Sequence, residues 1–335
     1  MLKFGWSEKN LIPQGAVVRL AGQFYERVSG EVETPLMVTV LVMESNEDTA
    51  IFCACDLVGV SHALLDTVRN KMSDRNDIPG DKIILSAIHS HTAPDYALRG
   101  ETRAVVAFKD VLQELFPHLH YEDAVSSDDV NFCGEEAHEY MAQQIADAVI
   151  EAWDARAEGG YAQGFGRAAI GLCRRATYDD GSAKMWGDTG IANFEELESG
   201  NDSGIELLYI YNSEKVLTGI VASIACPAQV LEHRSIISSD YWGKVKANLR
   251  AALGEDLFLL ALCAPAGDQC PRDLVRWVDP ETPIDDPNVN RPNPVTRKAD
   301  PSMYDIKGTW KIGKRIVNEI SDVYEEIDRK ISEGE

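Results

Sequence analysis

An apolar strand that ends in two histidines constrains the fold of this chain more than any other stretch. The run at residues 83–88 follows turn residues 79–82, so we predict a strand that begins after a turn. Residues two apart in a strand share a face, so we expect His89 and His91 to point the same way from its carboxyl end. Open α/β sheets bind ligands beyond the carboxyl ends of their strands. The pair is predicted to supply two metal ligands, or one ligand and one general acid/base; the alternative is two polar residues that bond to a loop.

The remaining apolar patterns predict an α/β fold with mixed β-sheets and flanking helices. A hairpin is expected from strands at residues 36–43 and 50–55, joined by the polar turn 46–48. A helix predicted at residues 61–72 leads into the histidine strand. The hairpin makes the sheet mixed, because the strand–helix–strand unit alone would be parallel. Further elements are expected at residues 17–20 (strand), 135–154 (amphipathic helix), 161–173 (strand), 204–211 with 217–225 (hairpin), 244–253 (helix), 257–263 (strand) and 306–331 (helix).

No repeat and no change in composition divides the chain, so residues 1–335 are predicted to form a single domain. The acidic, irregular stretch at residues 96–131 is interpreted as an insertion or lid near the site. A second His-x-His pair, His118 and His120, falls inside it and is interpreted as surface residues, because no strand precedes it. Residues 278–302, rich in proline and aspartate, are predicted to form an ordered surface loop.

The net charge of the chain limits the classes of partner that it is expected to bind. A formal net charge of −23 argues against binding nucleic acid or an anionic membrane through a general basic field. No apolar run approaches a membrane span, and the first residues lack the apolar core of a signal peptide, so we expect a cytoplasmic protein. Seven cysteines without Cys-x-x-Cys spacing are expected to be thiols. A small-molecule substrate is the predicted partner, and a homo-oligomer is compatible with this composition.

Polar residues follow several other predicted strands. Asp56 comes directly after the strand at 50–55. Arg174 and Arg175 end the strand at 161–173, where they either clamp a carboxylate or phosphate or pair with carboxylates at the surface. The small-residue turn at 264–273 follows the strand at 257–263, and its backbone N–H groups are expected to reach the edge of the site, where they can hold an anion.

Four motifs in order give the chain a resemblance to a known family. It resembles the neutral/alkaline non-lysosomal ceramidases over nearly its whole length, in particular the short bacterial members without a C-terminal immunoglobulin-like domain. Each motif is weak alone, whereas four in order are specific. The motifs are His89-Ser90-His91-Thr92-Ala93-Pro94, Arg174-Arg175, Ala225-Cys226-Pro227 with Ser239-Asp240-Tyr241, and Gly267-Asp268-Gln269-Cys270-Pro271-Arg272.

The resemblance implies a zinc amidase with the metal near His89. His91 would then contact the substrate or the developing oxyanion. The family's remaining Glu and Tyr ligands come from a later region, where Glu281 and Tyr304 are the candidates. From the same motifs, Tyr241 and Asp268 are assigned to substrate binding.

Two residues depart from the family pattern. The family's second histidine ligand stands in a His-Pro pair, which is Cys226-Pro227 here. Either Cys226 binds zinc as a thiolate, or His233 reaches the metal, or the metal is lost. Cys270 occupies the place of the family's active-site serine, and a lowered pKa would make it a nucleophile.

The leading hypothesis is a zinc-dependent hydrolase of an amide or related C–N or C–O bond in a small polar metabolite. Asp56 or Asp240 would orient a ligand or act as base, while Arg174 and Arg175 would bind an anionic group. A long-chain ceramide is less expected, because no apolar lid and no basic face accompany the motifs. The alternatives are a non-catalytic ligand-binding or regulatory protein on the same scaffold, and a metal-free hydrolase with Cys270 as nucleophile and His91 as base.

Overall fold

The computed structural model describes residues 2–23, 26–98, 127–275, 277–278, 298–299 and 303–332. Most of the predicted insertion at 96–131 lies outside these ranges, as do His118, His120 and Glu281. The predicted loop at 278–302 lies outside them too, apart from Val278 and residues 298–299.

The described residues form seventeen strands and four α-helices. The helices are α1 (His62–Lys71), α2 (Gly134–Asp154), α3 (Tyr241–Leu253) and α4 (Asp305–Ser332). None of these helices is long and apolar enough to cross a membrane. The strands are β1 (Lys3–Asn10), β2 (Val18–Arg19), β3 (Val28–Ser29), β4 (Met37–Glu44), β5 (Thr49–Cys55), β6 (Ile83–Ala87), β7 (Ala157–Arg167), β8 (Leu172–Cys173), β9 (Arg175–Tyr178), β10 (Ala183–Met185), β11 (Phe194–Leu197), β12 (Gly204–Asn212), β13 (Leu217–Ile224), β14 (Phe258–Cys263), β15 (Gln269–Cys270), β16 (Trp277–Val278) and β17 (Lys298–Ala299).

Eight strands form one mixed sheet in the order β14-β13-β12-β7-β1-β4-β5-β6. The pairs β5/β6 and β13/β14 are parallel, and the other neighbours in this sheet are antiparallel. The sheet folds over on itself: β14, the strand at one edge of the sheet, also contacts β4, β5 and β6 at the opposite edge. Apolar side chains of both halves, including Leu41 and Leu260, fill the space between them. Trp6 stacks on Phe258 at 5.5 Å and packs directly against Gly219, which leaves no room for a side chain there.

Helices cover the two outer faces, so the chain is a four-layer α/β/β/α sandwich. α1 and α2 pack on the half that contains β4 and β5, and α3 and α4 cover the half with β12 to β14. The amphipathic pattern explains this: α2 buries Met141, Ile145, Val149 and Trp153 at helical spacing against the sheet. A mixed α/β fold with flanking helices in a single domain is therefore confirmed.

The two halves repeat one topology. In each, an antiparallel hairpin is followed by a helix and then by a strand parallel to the second strand of the hairpin. The first unit is β4-β5-α1-β6 and the second is β12-β13-α3-β14. The sequence analysis found no repeat, because the two units share their order of elements rather than their residues.

Strand β1 was not predicted from the sequence. The strand carries Ser7, Glu8 and Lys9, so its polar residues hide the apolar alternation. Two of these polar groups have buried partners: the Ser7 hydroxyl donates to Ala148 O at 2.6 Å, and Glu8 pairs with helix α3. The predicted strand at 161–173 is also divided, because β7 ends at Arg167 and β8 begins at Leu172.

Candidate functional site

Three loops meet at the carboxyl ends of the parallel strands, on one edge of the sandwich. β13 and β14 end level with each other at Ile224 and Cys263. The loop after β13 contains residues 226–240, and the loop after β14 contains residues 264–268. The third loop follows β6 and contains residues 88–94. This is the edge where α/β sheets commonly bind ligands.

Hydrogen bonds join the loop after β6 to the loop after β13. The His91 backbone N–H donates to Ala228 O at 3.2 Å. The hydroxyls of Ser90 and Thr92 both donate to Ser238 O at 2.8 Å. The hydroxyl groups of the histidine motif therefore bond to the backbone of the loop after β13, and these bonds fix the loop that carries the imidazole rings.

The two histidines lie beyond β6 rather than in it. The strand ends at Ala87 and His89 has a φ of 61°, so the strand alternation that predicted a shared face does not apply. The rings meet nevertheless, with 3.3 Å between the two Nε2 atoms. His89 Nδ1 lies 2.7 Å from Val58 O, which identifies Nδ1 as the protonated nitrogen. Burial lowers the pKa of His89, and the charges of His91 and Arg174 lower it further, so its ring is neutral.

His91 pairs with a buried carboxylate. Its Nδ1 lies 3.1 Å from Glu232 Oε2, and both side chains are buried. Its Nε2 lies 2.7 Å from Gln229 Nε2. A proton assigned to Nδ1, the nitrogen nearer the carboxylate, leaves the lone pair on Nε2, where it accepts a hydrogen bond from the amide. A buried carboxylate beside an imidazole is the pairing found in general bases.

Positive charges keep Glu232 ionised in the interior. Burial alone would raise the pKa of Glu232, but contact with His91 and the charges of Arg272 and Arg27 hold it below its usual range. Arg272 Nη2 lies 3.5 Å from Glu232 Oε1. The carboxylate is therefore charged and able to stabilise an imidazolium.

Arg27 and Gly22 fix the position of His91 from the opposite side. The buried guanidinium of Arg27 donates to His91 O and to Ala21 O, both at 2.6 Å. Gly22 has a φ of +92°, and a Cβ on it would lie 2.5 Å from the His91 ring. Any side chain at Gly22 would therefore displace the imidazole.

A row of cations and aromatic rings borders the imidazole pair. The guanidinium groups of Arg174 and Arg272 lie 5.5 Å and 5.7 Å from the Trp186 ring centroid. Arg272 is also 5.1 Å from the Tyr304 ring, which stacks on His233 at 4.4 Å. His233, predicted as a metal ligand, is therefore part of this row. Burial and the charge of Arg272 lower the pKa of His233 to about 3, so its ring is neutral.

The two predicted arginines have different surroundings. Arg174 is half-buried, its charge acts on His89, and its Nη2 donates to Gly267 O at 2.8 Å. Arg175 pairs with Glu198 at 2.6 Å, with both side chains well exposed. Asp268 accepts a 2.6 Å hydrogen bond from Ser199. Arg174 thus acts on His89 through its charge, whereas Arg175 forms the surface pair that was the alternative.

Asp56 lies in a buried ion-pair network. It accepts from Met37 N at 2.9 Å and lies 3.3 Å from Lys246 Nζ. The same ammonium lies 3.2 Å from Glu8. Through these contacts Asp56 links the loop after β5 to helix α3. No contact described for Asp56 involves the histidines.

The two cysteines of the motifs are buried thiols. Burial raises the pKa of Cys226 well above its ordinary value and that of Cys270 to about 12. The Cys226 thiol donates to Pro227 O at 3.6 Å, and the Cys270 thiol to Arg272 O at 3.3 Å. Neutral buried thiols are poor nucleophiles, so we do not include Cys270 in the proposed chemistry.

Asp240 and Tyr241 support the loop that carries Glu232. Asp240 caps α3 by accepting from Tyr241 N at 2.7 Å, and it also accepts from Leu231 N at 2.8 Å. Its φ is 56° and its side chain is fully buried. The Tyr241 hydroxyl donates to Cys226 O at 2.6 Å. Both residues act on the backbone of the loop, and through it they position Glu232.

Replacement of Asp240 by asparagine is expected to remove a pH dependence of stability. Burial raises the pKa of Asp240 to about 7, so the folded chain holds this proton more tightly than the unfolded chain does. Its stabilising contribution is complete below about pH 4 and is lost as the pH rises to about 7. The difference in unfolding free energy between wild type and Asp240→Asn should change by up to about 4 kcal/mol across this range. Urea unfolding at pH 4.5 and pH 7.5 measures it; a constant difference would contradict the assignment.

The predicted zinc ligands do not come together. Within the described ranges, no group of three or more His, Cys, Asp or Glu side chains is arranged to hold a metal ion. The Nε2 atoms of His89 and His91 lie 3.3 Å apart. The Cys226 thiol instead donates to Pro227 O, and the His233 ring stacks on Tyr304. Two converging donors are fewer than the three protein ligands of a catalytic zinc site, so the described residues do not by themselves complete one. Zinc binding remains a prediction.

Sequence reasoning did not identify four residues of the site. These are Arg27, Trp186, Gln229 and Glu232. A usable signal existed for Glu232, which stands beside the apolar pair Val230-Leu231 in a loop that follows a buried strand. The other three carry no local pattern, because their partners lie far away in the chain.

Comparisons with known proteins identify the fold. No protein-family model matches the chain, and no curated protein matches it in sequence. The solved structure of neutral ceramidase from Pseudomonas aeruginosa matches with a TM-score of 0.66 at 14% identity, over 96% of this chain and 44% of that one. A ceramidase complexed with C2 matches over the same shares with a TM-score of 0.65 and 14% identity. The chain thus spans less than half the length of these ceramidases, and over nearly all of its own length it has their fold.

Proposed function

We propose that the chain is a hydrolase of an amide or related C–N or C–O bond in a small anionic metabolite. The observation that carries this proposal is the buried Glu232–His91 pair, 3.1 Å apart, in which the second imidazole nitrogen of His91 lies beside His89 and the Gln229 amide. The fold supports it, since the matching structures are ceramidases, which are amide hydrolases.

His91 is proposed to act as the general base. Its Nε2 takes a proton from water, and the resulting hydroxide attacks the carbonyl carbon while Glu232 stabilises the imidazolium. Collapse of the tetrahedral intermediate breaks the C–N bond, and His91 returns the proton to the leaving nitrogen. The Gln229 amide now occupies the lone pair of Nε2, so Gln229 must rotate or share that position with the water.

Arg174 is proposed to bind the anionic group of the substrate. In a chain with 55 acidic and 32 basic residues, Arg27, Arg174 and Arg272 are concentrated around this site. Arg272 and Arg27 are committed to Glu232 and to backbone carbonyls, whereas Arg174 is half-exposed. A guanidinium in that place suits a carboxylate.

The test is a hydrolysis assay on a panel of small amides, each paired with a neutral analogue that lacks its carboxylate. We expect turnover of carboxylate-bearing amides and at least tenfold weaker turnover of their neutral analogues. Arg174→Met should lower kcat/KM for the charged substrates and leave the neutral ones unchanged. A control variant, Arg175→Met, should change neither. Absence of hydrolysis across the panel would contradict the proposal.

Metal analysis tests the zinc prediction separately. Protein purified without added zinc is measured for bound metal and then assayed with and without a chelator. If the wild type binds stoichiometric zinc and His89→Ala does not, the His89 ring has a role in metal binding. Metal-free protein with chelator-resistant turnover would show that the acid–base pair acts alone.

A ligand-binding protein is the second candidate. The observation that favours it is the hydrogen bond from Gln229 to His91 Nε2, because it occupies the atom on which catalysis depends. This candidate predicts that carboxylates bind at Arg174 and that no member of the panel is hydrolysed. The same panel therefore separates the two functions.

A further inference from the structure

Trp186 is held in a strained backbone conformation at the border of the site. Its φ is 53°, in the left-handed region that a bulky L residue rarely adopts. Its backbone N–H donates to Arg174 O at 2.7 Å. The next residue, Gly187, packs so closely on Tyr178 and Ala176 that no side chain fits there. Strain of this kind persists where the surroundings over-determine it, and it is concentrated at ligand-binding sites.

The Trp186 ring contacts two guanidinium groups that have different tasks. Its centroid lies 5.5 Å from the guanidinium of Arg174 and 5.7 Å from that of Arg272, within the range of cation–π attraction. Arg272 is buried and lies 3.5 Å from Glu232. Arg174 is half-exposed, and its charge acts on the neighbouring His89.

Carboxylates close by would otherwise attract Arg174. Its charge acts on the half-exposed Asp268, whose side chain accepts a hydrogen bond from Ser199 instead. Glu232 already has Arg272 as its cationic partner. The Arg174 guanidinium contacts the indole and also donates from Nη2 to Gly267 O at 2.8 Å, and these two contacts restrict its rotation.

We propose that Trp186 is a positioning residue that holds Arg174 ready for a substrate carboxylate next to the imidazole pair. This inference rests on the proposed function, and it specifies the substrate class: amides whose carboxylate lies within a few bonds of the scissile carbonyl. The ring contacts both arginines: Arg272 neutralises Glu232, while the part of the Arg174 guanidinium that does not bond to Gly267 O is available to the ligand.

Binding of benzoate tests the inference without any turnover. Benzoate has a carboxylate and no scissile bond, and its ring protons report binding by saturation-transfer NMR; benzamide is the neutral control. We expect wild type to bind benzoate and to bind benzamide more weakly. Trp186→Leu should weaken benzoate binding about tenfold, as should Arg174→Met, and Trp186→Phe should retain it within about threefold. Equal benzoate affinity of wild type and Arg174→Met would overturn the inference.

The side-chain signal of Arg174 supplies a second readout. The Nε of Arg174 is buried in the wild type, so its N–H proton should exchange slowly with water in protein labelled with ¹⁵N-arginine. Trp186→Leu should accelerate this exchange and Trp186→Phe should restore it. An unchanged Arg174 signal with unchanged benzoate affinity in Trp186→Leu would overturn the inference. If Trp186→Leu does not fold, Trp186→Gly removes the ring while relieving the positive φ, and the same two readouts decide.

These outcomes are independent of the hydrolase assay. Benzoate binding that depends on Arg174 and Trp186, with no hydrolysis of any amide, would support the inference and contradict the proposed function. Hydrolysis that is indifferent to both residues would contradict the inference and the proposed role of Arg174, and it would still support the assignment as a hydrolase.

Discussion

Replacement of Glu232 by glutamine should lower kcat about 100- to 10,000-fold while KM changes little. Glutamine has the same shape but carries no charge, so it cannot stabilise the imidazolium that forms when His91 takes a proton. The carboxylate lies 3.1 Å from His91 Nδ1 and is buried, where the interaction is not screened by water. The measurement is steady-state kinetics on the best substrate of the amide panel, over a range of pH.

A matched control separates this effect from a general loss of charge. Glu198 pairs with Arg175 at the surface, with 45% of its side chain exposed, so Glu198→Gln should retain wild-type kinetics. Glu232→Asp keeps the charge and should retain more activity than Glu232→Gln. Equal kcat in Glu232→Gln and Glu198→Gln would exclude Glu232 from the mechanism. Thermal unfolding of each variant shows whether a low rate reflects unfolding.

Replacement of Lys246 by methionine should destabilise the fold by about 3–5 kcal/mol. Lys246 extends from α3 into the sheet, where its ammonium lies 3.2 Å from Glu8 and 3.3 Å from Asp56. Methionine leaves two buried carboxylates with less compensation. Burial raises the pKa of Asp56, so this carboxyl takes up a proton readily and the defect should shrink as the pH falls. Urea unfolding at pH 7 and at pH 5 measures both effects.

The control for this prediction is a half-buried lysine whose carboxylate partner is exposed. Lys71 lies 2.7 Å from Glu139, whose side chain is 52% exposed, so Lys71→Met should cost less than about 1 kcal/mol. A second test removes the buried charge of Asp56, which loses its cationic partner in Lys246→Met. Asp56→Asn introduced into Lys246→Met should recover part of the lost stability. Similar costs for Lys246→Met and Lys71→Met would contradict the assigned role of the network.

Local patterns in the sequence predicted most of the fold. The alternation in residues 36–43 and 50–55 and the helical spacing in 135–154 correspond to β4, β5 and α2 within a few residues. These elements were recognisable because a single buried face repeats every two or every three to four residues. Strand β1 was not predicted, because Ser7 and Glu8 have partners in distant helices and no local sequence pattern reveals them.

The candidate site was predicted in part. The His89 and His91 rings meet with 3.3 Å between their Nε2 atoms, and the charge of Arg174 acts on His89. Their chemistry differs from expectation in detail, because the histidines meet through a strained loop and not through strand geometry. Cys226 and Cys270 have the motif positions of reactive groups, yet burial keeps their thiols protonated.

The sequence by itself determined the residue types of the site and the strands that deliver them, because strand and turn signals depend on neighbours in the chain. Only the tertiary structure decided which groups act together. Glu232 follows His91 by 141 positions, and the structure brings their side chains to 3.1 Å. The contacts of Arg27 with His91 and of Trp186 with Arg272 likewise join segments that are far apart in the sequence. Orientation, burial and charge at that edge set the protonation of His89 and Glu232, and these quantities exist only in the folded chain.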